Sequence, residues 1–82
     1  MNEMHNGMRS LGDLAIGESA VISGYTDVAP ARRLLEMGFL PGNIVKAVRK
    51  APLGDPIEFF VMGGRVSMRK VDAYEILLRA ET

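Results

Sequence analysis

The 82-residue sequence contains no cysteine and no tryptophan. The absence of cysteine excludes the disulfides that staple many small secreted domains and the thiolates that bind zinc in many small modules. Aromatic residues make up only 6% of the chain, so aliphatic side chains and methionine must fill the core. No apolar run approaches the roughly 20 residues needed to span a bilayer, and the first eight residues lack the apolar stretch of a secretory signal. We therefore expect a cytoplasmic protein without direct membrane insertion.

The charges balance, with ten basic and ten acidic side chains and a net charge of zero. Nucleic-acid binders usually carry a basic excess for phosphate contacts, so we expect no nucleic-acid partner. Residues 1–8 are polar and are interpreted as a flexible N-terminal tail. The only histidine, His5, lies there among Met1, Met4 and Met8. Imidazole and thioether can bind copper(I), but a tail with incidental residues is the favoured interpretation, and we predict no metal site.

Three segments have helical signals. Ser10–Leu14 has a serine followed three residues later by Asp13, which resembles a capping box. Pro30–Met37 begins with a proline suited to the first helical position and is followed by Gly38, suited to the position past the end. Val71–Tyr74 has the length of one further turn. The chain is thus predicted to be mainly β, with one helical insertion and two short helical turns.

Alternating or β-branched segments between turn residues predict five or six short strands in a small closed barrel. One of them, residues 43–51, has apolar residues on both faces, which predicts either a bulge or a strand covered on both sides. The predicted strands are Glu18–Tyr25, Asn43–Ala51, Ile57–Met62, Arg65–Arg69 and Ile76–Arg79.

Gly63-Gly64 is predicted to be the two-residue loop of a hairpin. That loop places Val61 opposite Val66 and Glu58 opposite Arg69, with the apolar residues sharing one face. Phe60 and Met62 then lie on the less buried face. They are either covered by another part of the barrel or offered to a partner.

Catalytic signals are missing from the sequence. There is no nucleophile–base pair, because cysteine is absent and the one histidine lies in the tail. The carboxylates are scattered singly, and a barrel of this size has little room for a substrate cavity of about 300 Å³ or more. We therefore expect neither an enzyme nor a cofactor, but a domain that acts by contact.

An ordered set of motifs resembles the FeoA family of bacterial ferrous iron transport. Residues 33–42 read RLLEMGFLPG and residues 51–56 read APLGDP. Leu11-Gly12-Asp13-Leu14 before them and Met68-Arg69-Lys70 after them fit the same pattern in order. The resemblance covers about residues 9–79 and implies an SH3-like barrel with a helical insertion. Residues 9–82 are accordingly expected to form a single domain.

The resemblance also implies a partner, the FeoB-type membrane permease with its cytosolic G-protein domain, and hence an accessory role at the inner face of the membrane. The helix end and the two proline-containing turns are the predicted contact surface, because rigid turns lose little entropy on binding. An arginine finger from Arg33 stays open as an alternative. The predicted contact residues are Arg33, Met37, Phe39, Pro41, Pro52, Leu53 and Asp55.

Two other interpretations stay open. The same domain type occurs at the C-terminus of iron-dependent repressors, so a free-standing regulatory module acting by protein contact or metal-linked self-association is the alternative function. A weak homo-oligomer built through exposed strand edges or through Phe60 is compatible with either role.

Overall fold

A computed structural model of the chain describes residues 9–26 and 31–80. Five strands and three short helical segments confirm the prediction of a mainly β chain. The Leu11–Asp13 segment is a 3₁₀ turn, and the two α-helices are single short stretches. In chain order the elements are the 3₁₀ turn Leu11–Asp13, β1 (Ser19–Tyr25), α1 (Ala31–Glu36), β2 (Ile44–Lys50), β3 (Ile57–Val61), β4 (Gly64–Met68), α2 (Lys70–Ala73) and β5 (Ile76–Leu78).

The strands form one antiparallel sheet in the order β4-β3-β2-β1-β5. The predicted closure of the barrel is wrong, since no ladder joins β4 to β5 in the described part of the chain. The outer edge of β5 is already occupied: Leu78 donates its N–H to the Arg9 carbonyl at 2.8 Å, and Ser10 forms an isolated bridge with Leu77. The N-terminal segment thus covers the edge that closure would require.

The register predicted for the β3–β4 hairpin is wrong by two residues. Val61 lies opposite Gly64, and Glu58 lies opposite Ser67 instead of Arg69. The two loop residues are Met62 and Gly63, both with positive φ (53° and 79°), as the favoured hairpin turn requires. Because the shift is an even number of residues, each side chain keeps its predicted face.

The ambiguous strand resolves into a bulge, as one of the two interpretations predicted. The β2–β3 register shifts between Ala47 and Arg49, so the strand changes faces at Val48. Val45 and Ala47 are fully buried, whereas Ile44 is exposed. The inserted residue therefore accounts for Val48, whereas Ile44, before the bulge, is an apolar residue on the exposed face.

All five strands contribute to one hydrophobic core, joined by the 3₁₀ turn and α1. At its centre the rings of Phe39 and Phe59 meet edge to face, with centroids 6.3 Å apart. The predicted capping interaction is present, since the Asp13 carboxylate accepts hydrogen bonds from the backbone N–H and the hydroxyl of Ser10, both at 3.0 Å. The buried apolar residues are Leu11, Leu14, Ile22, Leu34, Phe39, Val45, Ala47, Ile57, Phe59, Val61, Met68, Ala73, Ile76 and Leu78.

The predicted helical insertion is present but shorter, since α1 ends at Glu36. On α1, Leu34 is buried and Leu35 is half-buried. Gly38 follows with φ 105°, the left-handed conformation that commonly ends a helix. The start of the predicted helix at Pro30 and the tail at residues 1–8, with His5, lie outside the described residues.

Candidate functional site

The two proline-containing turns of the predicted contact surface lie at the two ends of β2. Pro41 lies in the turn before this strand, and Pro52 and Leu53 lie in the turn after it. Seven strand residues span about 20 Å, so the two proline-containing turns do not form one cluster. The predicted residues therefore do not form a single surface.

The second turn instead packs beside α2. One oxygen of the Asp55 carboxylate accepts a hydrogen bond from the backbone N–H of Lys70 at 2.8 Å, at the start of this helix. The other oxygen lies 3.3 Å from the Nε of Arg69. The carboxylate thus satisfies a backbone donor that the helix itself leaves unpaired. Asp55 ties the turn to α2, which is a structural role in addition to any role in binding.

Arg33 also contacts this helix. Its Nη2 lies 3.1 Å from the Asp72 carboxylate, and the two residues are 39 positions apart in sequence. The arginine side chain is 66% exposed, so the pair is a solvent-accessible one. Such pairs contribute roughly 0–1 kcal/mol, and a partner that drew Arg33 away from Asp72 would lose little.

Two apolar side chains stand out from this region into solvent. Leu53 is 97% exposed at the tip of the turn, and Val71 is 69% exposed on α2. Sequence reasoning missed Val71, although a valine off the buried face of a short helical turn is a usable signal. We name this region the α2 surface; it comprises Arg33, Leu53, Asp55, Val71 and Asp72.

The remaining predicted contact residues lie elsewhere. Phe39 is 0% exposed, so its side chain belongs to the core and not to an exposed contact surface. Its carbonyl accepts a hydrogen bond from the Tyr25 hydroxyl at 2.5 Å. Met37 is half-buried against the core, and Pro41 is exposed. Only part of the predicted set is thus available to a partner.

Two titratable groups have pKa values moved by their surroundings. The Arg9 guanidinium and, next, the backbone N–H of Ala15 hydrogen-bond the Glu18 carboxylate and lower its pKa to about 2. Burial raises the pKa of Tyr25 to about 12. Neither group belongs to the α2 surface, and neither is paired with a nucleophile, so both shifts are explained by structural contacts.

Within residues 9–26 and 31–80 no group of three histidine, aspartate or glutamate side chains is placed to hold a metal ion. No helix in the same ranges is long and apolar enough to cross a bilayer. A surface groove of about 470 Å³ runs beside β1 and the end of β5. Its described lining includes Arg9 and Arg79 but no carboxylate.

Comparison with known proteins gives the chain its relatives. The family model described as the FeoA domain matches residues 9–80. A curated relative, the Fe(2+) transport protein A/Fe(2+) transporter FeoB fusion protein of Porphyromonas gingivalis (strain ATCC BAA-308 / W83), is 40% identical over 67 residues. The match covers 80% of this chain but only 8% of the length of that fusion protein.

Solved structures agree with the fold described above. FeoA of Stenotrophomonas maltophilia in complex with zinc, described as a prokaryotic SH3 domain protein, is 33% identical. The match covers 85% of this chain and 88% of that one, with a TM-score of 0.75. The expected SH3-like fold is thereby confirmed, with an open sheet.

A manganese-dependent transcriptional repressor in complex with manganese has a similar fold, with a TM-score of 0.79. The match covers 90% of this chain and 37% of that one. At 15% identity the likeness shows a shared fold alone.

Proposed function

The chain belongs to the FeoA domain family, and from that premise we propose that it is a non-enzymatic accessory protein of ferrous iron uptake that binds the cytosolic part of a FeoB-type permease. The observation that carries the proposal is the Porphyromonas gingivalis fusion, in which a segment 40% identical to this chain is joined to a FeoB transporter. A covalent fusion keeps the two parts at high effective concentration, which is useful when they work in contact. The proposed site of action is the cytosolic face of the membrane.

The α2 surface is the proposed contact region. Its turn is held in shape by hydrogen bonds from Gly54 N–H to the Ala51 carbonyl at 2.7 Å and from Ala51 N–H to the Pro56 carbonyl at 3.0 Å. A preorganised turn loses little entropy when a partner covers it, and Leu53 at its tip offers an apolar anchor. Arg33, which is tied to α2 through Asp72, offers a charged group for orientation.

Pro41, Pro52 and Met37 remain part of the proposal as peripheral contacts. Pro52 adjoins Leu53 in the same turn, whereas Pro41 lies beyond the far end of β2. A partner large enough to reach both would cover about 20 Å along the strand, a usual dimension for a protein interface. Substitutions at Pro41 are therefore expected to weaken binding less than substitutions at Leu53.

The proposal is tested by measuring binding of the permease's purified cytosolic domains to the full chain. Leu53→Asp and Arg33→Ala are expected to weaken binding by tenfold or more and by a few fold, respectively. Leu53→Met keeps an apolar side chain and Arg32→Ala removes the neighbouring arginine, so both control variants should bind normally. Unaltered binding by both Leu53→Asp and Arg33→Ala would reject the α2 surface, and no binding by the unmodified chain would reject the partner.

A further inference from the structure

The outward face of the sheet carries an exposed apolar stripe that the core does not use. Ile44 is 65% exposed, Phe60 is 44% exposed and Met62 is 69% exposed. The β2–β3 register pairs Val45 with Val61 and Lys46 with Phe60. Continued by one position, it sets Ile44 across from Met62, the first residue of the hairpin loop. Ile44 and Phe60 are therefore diagonal neighbours on one face, and Met62 follows them at the end of the hairpin.

Cationic side chains flank this stripe. Phe60 is opposite Lys46 on one neighbouring strand and opposite Arg65 on the other. Lys46 forms no ion pair within the described ranges. We name Ile44, Lys46, Phe60, Met62 and Arg65 the outer patch. It combines apolar area with positive charge in a chain whose net charge is zero.

An acidic residue on this face is paired with two arginines. Glu58 lies two residues before Phe60, and its Oε1 is 3.2 Å from Nη2 of Arg49 while its Oε2 is 3.5 Å from Nη1 of Arg65. The Oε1 contact has ion-pair distance without hydrogen-bond alignment. Two arginines face one carboxylate, and with Lys46 the outward face keeps an excess of positive charge that would attract an acidic partner.

Met62 occupies a position where its side chain is unfavourable. With φ 53° it is in the left-handed region, where glycine, asparagine or aspartate are the usual residues of such a turn. Its side chain lies close to Gly38, where an added Cβ would come within 3.0 Å of the Met62 Cγ. Most of it is nevertheless in solvent. A large apolar residue kept exposed at a strained turn position points to a role in binding.

We propose that the outer patch binds an acidic amphipathic helix of a partner protein. The backbone groups of β2 and β3 are paired within the sheet, so a segment lying on this face must satisfy its own backbone hydrogen bonds, as a helix does and an extended strand does not. Neighbouring positions on a sheet face are about 5–7 Å apart, close to the spacing of helix residues three and four apart. Apolar side chains of the helix would cover the stripe, and its carboxylates would reach Lys46 and Arg65.

Two other occupants fit the patch less well. A second copy of the chain would bring the same positive charges together, which opposes symmetric association. An anionic membrane surface is usually bound by clusters of about four to eight basic residues, and this patch offers two beside the stripe. The proposal does not depend on the permease, because the patch lies on a different part of the fold from the α2 surface.

The test uses the full chain, labelled with ¹⁵N, and a synthetic amphipathic helical peptide of about 18 residues with leucines on one face and glutamates beside them. Titration should shift the amide signals of the outer patch, with affinity falling severalfold as salt rises. The same peptide with lysine in place of glutamate should not bind. Shifts elsewhere, or equal binding of both peptides, would overturn the proposal.

Variants then locate the binding energy. Lys46→Glu should weaken peptide binding by about five- to tenfold, whereas Lys50→Glu makes the same charge change about 13 Å along the strand and should weaken it less than twofold. Met62→Asn introduces a residue that tolerates the turn conformation, so the chain should stay folded. Loss of the apolar side chain should weaken peptide binding about tenfold. Equal effects of the two lysine variants, or no effect of Met62→Asn, would overturn the proposal. Tighter binding to phosphatidylglycerol vesicles than to the acidic peptide would identify a membrane surface, and not a helix, as the occupant of the outer patch. Dimerisation of the unmodified chain that is lost in Met62→Asn would identify a second copy of the chain as the occupant.

Discussion

Replacing Phe39 by alanine is expected to lower the free energy of unfolding by about 3–5 kcal/mol, because its side chain is fully buried. The loss combines the transfer of the ring from water, about 1.5–3 kcal/mol, with the cavity that the small side chain leaves. The edge-to-face contact with Phe59 adds about 0.5–1.5 kcal/mol. An 82-residue domain has only about 4–12 kcal/mol in total, so Phe39→Ala should be at the margin of folding.

A milder variant keeps the test informative when alanine abolishes folding. Phe39→Leu retains most of the apolar volume and should cost about 1–2 kcal/mol, chiefly the aromatic contact and some packing. Leu53→Asp, at a side chain that is 97% exposed, should change stability by about 0.5 kcal/mol or less. Substitution of Phe39 should therefore lower stability, whereas substitution of Leu53 should leave stability almost unchanged and weaken binding to the permease's cytosolic domains.

Urea unfolding followed by circular dichroism measures the first effect, and the midpoint shift at constant slope gives the change in stability. Binding of the same variants to the cytosolic domains measures the second. A Phe39→Leu protein as stable as the unmodified chain, but unable to bind, would show that Phe39 contacts the partner and would refute its assignment to the core.

Three further results are expected. The carboxyl carbon of Glu18 should titrate near pH 2 by NMR, and the stability that this group contributes should be lost as the pH falls from about 4.5 to about 2. Arg9→Ala should raise the midpoint of this titration. An unchanged midpoint would contradict the assignment of the lowered pKa to Arg9. The Cζ signal of Tyr25 should titrate near pH 12, with its stabilising effect complete below pH 10 and lost as the pH rises to about 12; titration near 10 would contradict the burial argument. In thermal unfolding, Gly38→Ala should destabilise the fold by about 1–2 kcal/mol, because the Gly38 φ is 105° and the new Cβ would crowd a neighbouring side chain. Gly64→Ala is the control. Nothing lies within 4 Å of a Cβ added there, so this variant should be neutral or slightly stabilising.

Local patterns were reliable where the interaction itself is local. The capping contact between Ser10 and Asp13 spans three residues, and the helix stop at Gly38 follows from its own backbone conformation. The strand predicted at Ile76–Arg79 is present as Ile76–Leu78, and its alternate residues are buried, as the period of two in a half-buried strand requires. The hairpin was predicted with the right faces but the wrong loop, since Met62 occupies a turn position that sequence preference assigns to glycine or asparagine.

The contact surface was harder to predict because exposure depends on the rest of the fold. Phe39 and Leu53 each adjoin a glycine and have a proline within two positions in sequence. Phe39 is nevertheless 0% exposed and Leu53 is 97% exposed. The prediction that Phe60 and Met62 lie on the less buried face was correct as to the face. Their exposure was one of two interpretations, and only the open sheet distinguished between them.

By itself the sequence determined the elements of this protein and its family, because strand alternation, capping and turn motifs are recorded in residues close together along the chain. Only the tertiary structure decided which parts meet: Asp55 with Lys70 across 15 positions, and Arg33 with Asp72 across 39. Those contacts tie one predicted turn and the helical insertion to α2, and they leave Pro41 apart. Packing of distant segments against a shared core, rather than any local preference, sets which side chains reach the surface together.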